Sequence, residues 1–124
     1  ATTFARRFLP ALRLYGRPMA TEEGMALEFK DGRVLLGPGG ASDDSKVLLE
    51  YTTKTAADGT LLFDFHHTFT PEALRGKGLA GQVVKAGFEE AARKSAKVIP
   101  TCSYVAGYVE RHPEFKDQIA PSSL

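Results

Sequence analysis

Three features of this chain predict an α+β fold. Two β-rich pairs come early, each joined by a turn: Met25–Lys30 with Arg33–Leu36 across Asp31-Gly32, and Lys46–Lys54 with Leu61–Phe69 across Ala57-Asp58-Gly59-Thr60. One strong 3.6-residue apolar pattern then covers Leu79–Lys94. A short β-rich run, Lys97–Cys102, follows that helix, and a crossover of this length makes it parallel to Leu61–Phe69. The plan is antiparallel strands leading into a βαβ unit, closed by a short C-terminal helix.

At 124 residues the chain holds one domain with one modest core. Asp31-Gly32 is a two-residue hairpin signal, and Gly37–Ser45 is a loop by composition. In Leu61–Phe69, strict alternation puts Leu61, Phe63, Phe65, His67 and Phe69 on one face and Leu62, Asp64, His66 and Thr68 on the other. On the long helix Ala80, Val83, Val84, Phe88, Ala91 and Ala92 share one side. Glu89–Arg93 and Glu90–Lys94 are expected as i,i+4 pairs on the solvent side. Tyr104–Arg111 forms a second helix, stopped at His112-Pro113. Residues 116–124 read as a frayed end, with 119–124 set apart as a tail.

Residues 1–21 carry Arg6, Arg7, Arg13 and Arg17 and no acid, interleaved with Phe4, Phe8, Leu9, Leu12 and Leu14. Two readings are open for this basic arm. One is an organelle presequence or its remnant, which points to the mitochondrial matrix, with the cytosol as the alternative. The other is an arm that packs on the domain or on a protein partner. Pro10 and Pro18 argue against one continuous helix there.

Composition narrows the function classes. The net charge of +1 gives general nucleic-acid binding no support. No apolar run approaches the ~18–20 residues that span a bilayer. The single Cys102 excludes an internal disulfide, and the Cys/His spacing matches no zinc pattern, so no metal is expected.

The chemistry concentrates where Leu61–Phe69 gives way to Thr70-Pro71-Glu72-Ala73-Leu74-Arg75-Gly76-Lys77-Gly78-Leu79-Ala80 and then to the helix. Strand, basic Gly-rich loop and helix start make an anion site from backbone N–H groups, the helix dipole, Arg75 and Lys77. Gly76-x-Gly78-x-x-Gly81 satisfies the dinucleotide fingerprint, but six residues separate Gly76 from the strand and the next strand carries no acid. Walker A fails because Gly78 follows Lys77. Arg75-x-x-Gly78-x-Ala80 fits a third pattern, [Q/R]-x-x-G-x-[G/A].

With that loop the chain resembles the GNAT-type N-acetyltransferases, in which it holds the pyrophosphate of acetyl-CoA. The runs Asp64–Pro71, Arg75–Ala80, Val98–Val105 and Tyr108–Phe115 look like the small single-domain YjdJ-like branch. The resemblance covers roughly residues 46–118 and makes 22–118 a GNAT-like acyl-CoA-binding domain with a splayed parallel strand pair. It implies acetyl-CoA, or CoA, as the cofactor. Arg75, Gly76, Lys77, Gly78, Leu79 and Ala80 would hold the pyrophosphate, and Phe69-Thr70 would offer strand-edge groups to the pantetheine arm.

Pro100 cannot donate to a ladder, so the sheet must end or have an edge there. Strands that part leave unpaired groups along a slot, with which the amides of an extended arm can pair. Cys102, just beyond, is an acyl-accepting nucleophile, a proton donor to the departing CoA thiolate, or a small buried hydrophobe. His67 is a general base beside the thioester or a packed core histidine in phase with Phe65 and Phe69. Tyr104 and Tyr108 are neighbours on the late helix; either could serve as general acid or simply pack. The expected function is acetyl-CoA-dependent N-acylation of an amine-bearing acceptor, small molecule or protein. The rival is a non-catalytic subunit of a larger assembly, mitochondrial if the arm is a presequence, with or without bound CoA.

Overall fold

The computed structural model describes residues 19–20 and 24–122. Expectations for the basic arm therefore lie outside the described residues, apart from Met19–Ala20. Six strands form one sheet in chain order: β1 (Met19–Ala20), β2 (Met25–Lys30), β3 (Arg33–Pro38), β4 (Val47–Thr55), β5 (Leu61–Phe69) and β6 (Lys97–Ile99). All neighbours are antiparallel except β5 and β6, which the crossover helix α1 (Leu79–Arg93) makes parallel. A second helix, α2 (Ser103–Arg111), follows β6. This is the α+β, GNAT-like plan of the sequence reading.

The β2–β3 hairpin turns on Asp31 and Gly32, with φ of 51° and 76°. Two positive φ values match the twist that joins antiparallel strands directly. The pairing then runs without a slip from Lys30↔Arg33 to Met25↔Pro38. On the other side of β3, alternate residues of the sheet face α1. Val34, Leu36, Val47, Leu49, Phe63 and Phe65 pack with Val83, Val84 and Phe88 into one core. Each fully buried large side chain stabilises by about 1.5–3 kcal/mol. Gly87 lets α1 approach, since a Cβ there would come within 2.5 Å of Leu49 Cδ2 and 3.0 Å of Phe65 Cζ.

Strict alternation along β5 does not hold. Glu50 faces His67, but Tyr51 faces Phe65, so His66 is an extra residue bulged out of the ladder. The bulge reverses the phase beyond it. Thr68 pairs with Leu49 and shares the α1 face, whereas His67 pairs with Glu50 and Phe69 with Leu48 on the opposite face. His67 and Phe69 are exposed, so His67 is not in phase with the buried Phe65.

Three further expectations are corrected. Strand β6 stops at Ile99 instead of reaching Cys102, because Pro100 has no N–H and Thr101 N turns back to Ile99 O at 3.0 Å. Glu90 is buried, 3% exposed, and draws both Arg93 and Lys94 onto its carboxylate. The C-terminal segment does not fray at 116. Phe115 stacks on Phe88 at 4.8 Å, Ile119 bridges Val98 in parallel, and Ala120 N donates to Val98 O at 2.9 Å. Two apolar side chains four residues apart give that segment its anchorage.

Candidate active site

The site lies where β5 outlasts its partner. Strand β6 pairs only with Leu62–Asp64, and β5 runs on to Phe69. After Ile99 the chain stays tied to β5 through Cys102 N, which donates to Phe65 O at 2.9 Å, and Thr101 Oγ1, which donates to Asp64 Oδ1 at 2.5 Å. Past that point, His66–Phe69 form an open edge on the β6 side of the sheet.

The open edge leads into the basic loop. Leu74 and Leu79 are buried at either end and pin it, while Arg75, Gly76, Lys77 and Gly78 stand exposed between them. Thr70 O accepts from Arg75 Nε at 2.9 Å, which fixes the root of that guanidinium. Gly76 and Gly78 have φ of 79° and 75°, and a Cβ on either would touch nothing within 4 Å. Glycine is needed there for conformation, not for space. Gly78 caps α1 without a side chain, so no side chain competes for the N–H groups of the first turn, at Leu79 and Ala80. Uncapped N–H groups, the helix dipole and two exposed cations are the donor set a pyrophosphate requires, and these residues fit it.

Helix α2 closes the other side of the site. A Cβ on Gly81 would lie 3.4 Å from Tyr108 Cε2 and 3.6 Å from Tyr104 Oη, so the Tyr104 hydroxyl borders the first turn of α1. Tyr108 is buried against His112 and Phe115; burial, then the Glu114 carboxylate, pushes its phenol up. That makes Tyr108 a poorer proton donor near neutrality and a core residue.

Cys102 is the N-cap of α2. Burial alone would push its thiol up, but the Thr68 hydroxyl and the N–H groups of Val105, Tyr104 and Thr68 outweigh it and hold the thiol below its ordinary value. Its Sγ lies 3.6 Å from Thr68 Oγ1. Cys102 and His67 flank the same open edge from opposite faces of the sheet, so the fold does not bring them into contact. Thr68 escaped the sequence reading because alternation placed it with Asp64; only the bulge, which no residue type announces, turns it to the thiol. On the His67 face, a cavity of about 290 Å³ abuts Phe69. Leu35 and Leu48 join Phe69 in lining it, together with Arg33, Asp43, Asp44 and Lys46. Among the described residues no cluster of His, Cys, Asp and Glu could hold a metal ion.

The comparisons with known proteins agree with this geometry. A family model described as GCN5-related N-acetyl-transferase matches residues 40–118, which include β4, the open edge, the loop and both helices. Protein NATD1 of Mus musculus is 27% identical over 110 residues, which is 84% of this chain and 94% of that protein. Protein NATD1 of Homo sapiens is 30% identical over 84 residues, covering 66% and 69%. Protein NATD1 of Gallus gallus is 32% identical over 74 residues, covering 60% and 62%. Acetyl-CoA binding is what such a domain implies for its family. With the splayed strands, the uncapped helix start and a match over most of its length, this chain belongs to the GCN5-related N-acetyltransferase family.

Proposed function

We propose that this chain transfers an acetyl group from acetyl-CoA to an amine, as a minimal enzyme of the YjdJ-like kind. One observation carries the reading: the open edge of β5 ends at the uncapped start of α1, with His67 on one face and Cys102 on the other. Arg75, Lys77 and the first-turn N–H groups hold the pyrophosphate, and the arm lies along His66–Phe69. The acceptor enters on the His67 face, where the cavity beside Phe69 receives its body.

The amine nitrogen attacks the thioester carbonyl carbon while backbone N–H groups of the open edge stabilise the oxyanion. His67 takes the ammonium proton, directly or through one water. The C–S bond breaks and the departing CoA thiolate takes a proton from Cys102, whose lowered thiol makes that transfer downhill. Cys102 then regains its proton from solvent, leaving an amide and CoA. Direct transfer is favoured over an acetyl-Cys102 intermediate because His67, across the sheet, cannot serve that thiol as its base.

Thermal unfolding with acetyl-CoA tests the reading. At ~100 times its dissociation constant the ligand adds about 2.7 kcal/mol, a rise of several degrees. Lys77→Glu removes a phosphate contact and adds repulsion, and should weaken binding about tenfold or more. A wild-type chain that acetyl-CoA does not stabilise would be the non-catalytic rival, a fold kept for assembly.

A further inference from the structure

Alternation along β5 places Thr68 on the polar face, away from the core. The bulge at His66 instead pairs Thr68 with Leu49 on the α1 face and brings its hydroxyl to the Cys102 sulfur, 3.6 Å away. Three links stitch the segment after Pro100 to β5. Two of them, Cys102 N to Phe65 O and Thr101 Oγ1 to Asp64 Oδ1, fix the backbone around Cys102. The third reaches the sulfur itself from β5, beside the Thr68 N–H.

We propose that Thr68 is a positioning residue for the transfer, holding the Cys102 sulfur at the open edge of β5. The assignment rests on the acetyl-transfer reading above. A threonine hydroxyl can accept from S–H and donate to S⁻, so the sulfur keeps its place through loss and recovery of the proton. A valine at 68 would keep the shape and lose both bonds. The titratable neighbours do not supply this hold. Asp64 is already engaged by Thr101 and Lys54, and Tyr104 is directed toward Gly81 and Arg111.

Alkylation of the full chain by iodoacetamide from pH 5.5 to 10.5 tests this without any cofactor. The thiolate displaces iodide and forms the new C–S bond, and Cys102 is the sole cysteine, so the reaction reports one atom. Losing the hydroxyl disfavours the thiolate. Thr68→Val should therefore move the midpoint upward by about half to one pH unit, slowing alkylation roughly three- to tenfold below the midpoint and converging with wild type above it. Thr68→Ser should restore the wild-type profile. If the valine variant does not fold, Thr68→Ala lacks the same hydroxyl and takes its place. A hydroxyl-free variant with an unmoved midpoint overturns the proposal. So does a slowing that is equal at every pH, which means altered access instead of a lost hydrogen bond. A protein that fails to bind acetyl-CoA would still report on Thr68 in this experiment, so the two readings fail separately.

Discussion

The β2–β3 hairpin and the β5–β6 fork stand toward opposite ends of one sheet and are specified differently. The hairpin is local. Two turn residues set its twist, and its register follows for six consecutive pairs without a slip. The fork depends on departures from regularity: a bulge at His66, a proline that ends β6, and a parallel pairing only three residues long. A regular ladder consumes its backbone groups, so a site that must offer them to a ligand has to be made where the ladder fails. A locally specified hairpin and a fork held by the core beneath it thus occupy different lengths of the same sheet.

The largest effect should come from the core beneath the fork. Phe65 is fully buried, lies 5.3 Å from Phe88 edge-on, and precedes the bulge. Phe65→Ala should cost about 3–5 kcal/mol. Phe29, in the hairpin, is only partly buried against the same core. Phe29→Ala should cost roughly half as much, because less apolar area leaves water there on folding. Urea unfolding of both variants measures the contrast. Equal losses would mean that the hairpin carries as much of the core as the fork, and the division would be wrong.

The same division explains what could be read from the sequence. Asp31-Gly32, the alternation up to Phe65 and the apolar stripe of Leu79–Arg93 are short-range patterns, and they marked strands, turn and helix within a residue or two. The loop from Arg75 to Ala80 was legible because glycine at positive φ has a chemical reason to be there. His67, Thr68 and Phe69 were misplaced by one step, since a single extra residue flips every side chain beyond it. Whether a strand absorbs such a residue depends on its partner across the ladder, Glu50 and Tyr51, fifteen or more positions away in sequence. The anchoring of Phe115 and Ile119 was missed for a similar reason: they pack on Phe88 and Val98, which no local pattern connects to them.

Gly32→Ala should come next in size and sharpens the contrast. The residue has positive φ, and a Cβ would lie 2.8 Å from Tyr51 O, a backbone atom that cannot swing aside. Left-handed strain and that contact together should cost about 1–3 kcal/mol. Tyr51 is the β4 residue beside the bulge, and its N–H donates to Gly32 O at 2.9 Å. If hairpin and fork are independent, urea unfolding should show the loss while the pH midpoint of Cys102 alkylation stays at the wild-type value. A midpoint that moved would show that strain passes from the turn through β4 to the thiol.

The smallest effect belongs to the charges that tie the hairpin to the loop before β4. Asp43 meets Lys30 Nζ at 3.1 Å and Lys46 Nζ at 3.6 Å, and Lys46 also meets Glu28 at 3.3 Å. The hydrogen bond from Lys30 is the main reason the Asp43 carboxyl lies below the usual range, and it overcomes the opposing effect of desolvation. A carboxyl depressed in the folded state stabilises above its unfolded value, about pH 4, and loses that contribution as pH falls through the folded value. Asp43→Asn should therefore lower the melting temperature slightly at pH 7, with the two curves converging as pH falls through the folded value of the carboxyl. Solvent and salt screen these groups, so the gap should shrink further at high ionic strength. Convergence at low pH would confine the contribution of Asp43 to its charge. A gap that persisted after the folded carboxyl had taken up its proton would instead assign it to the shape of the loop, and the hairpin would then depend on a distant segment much as the fork does.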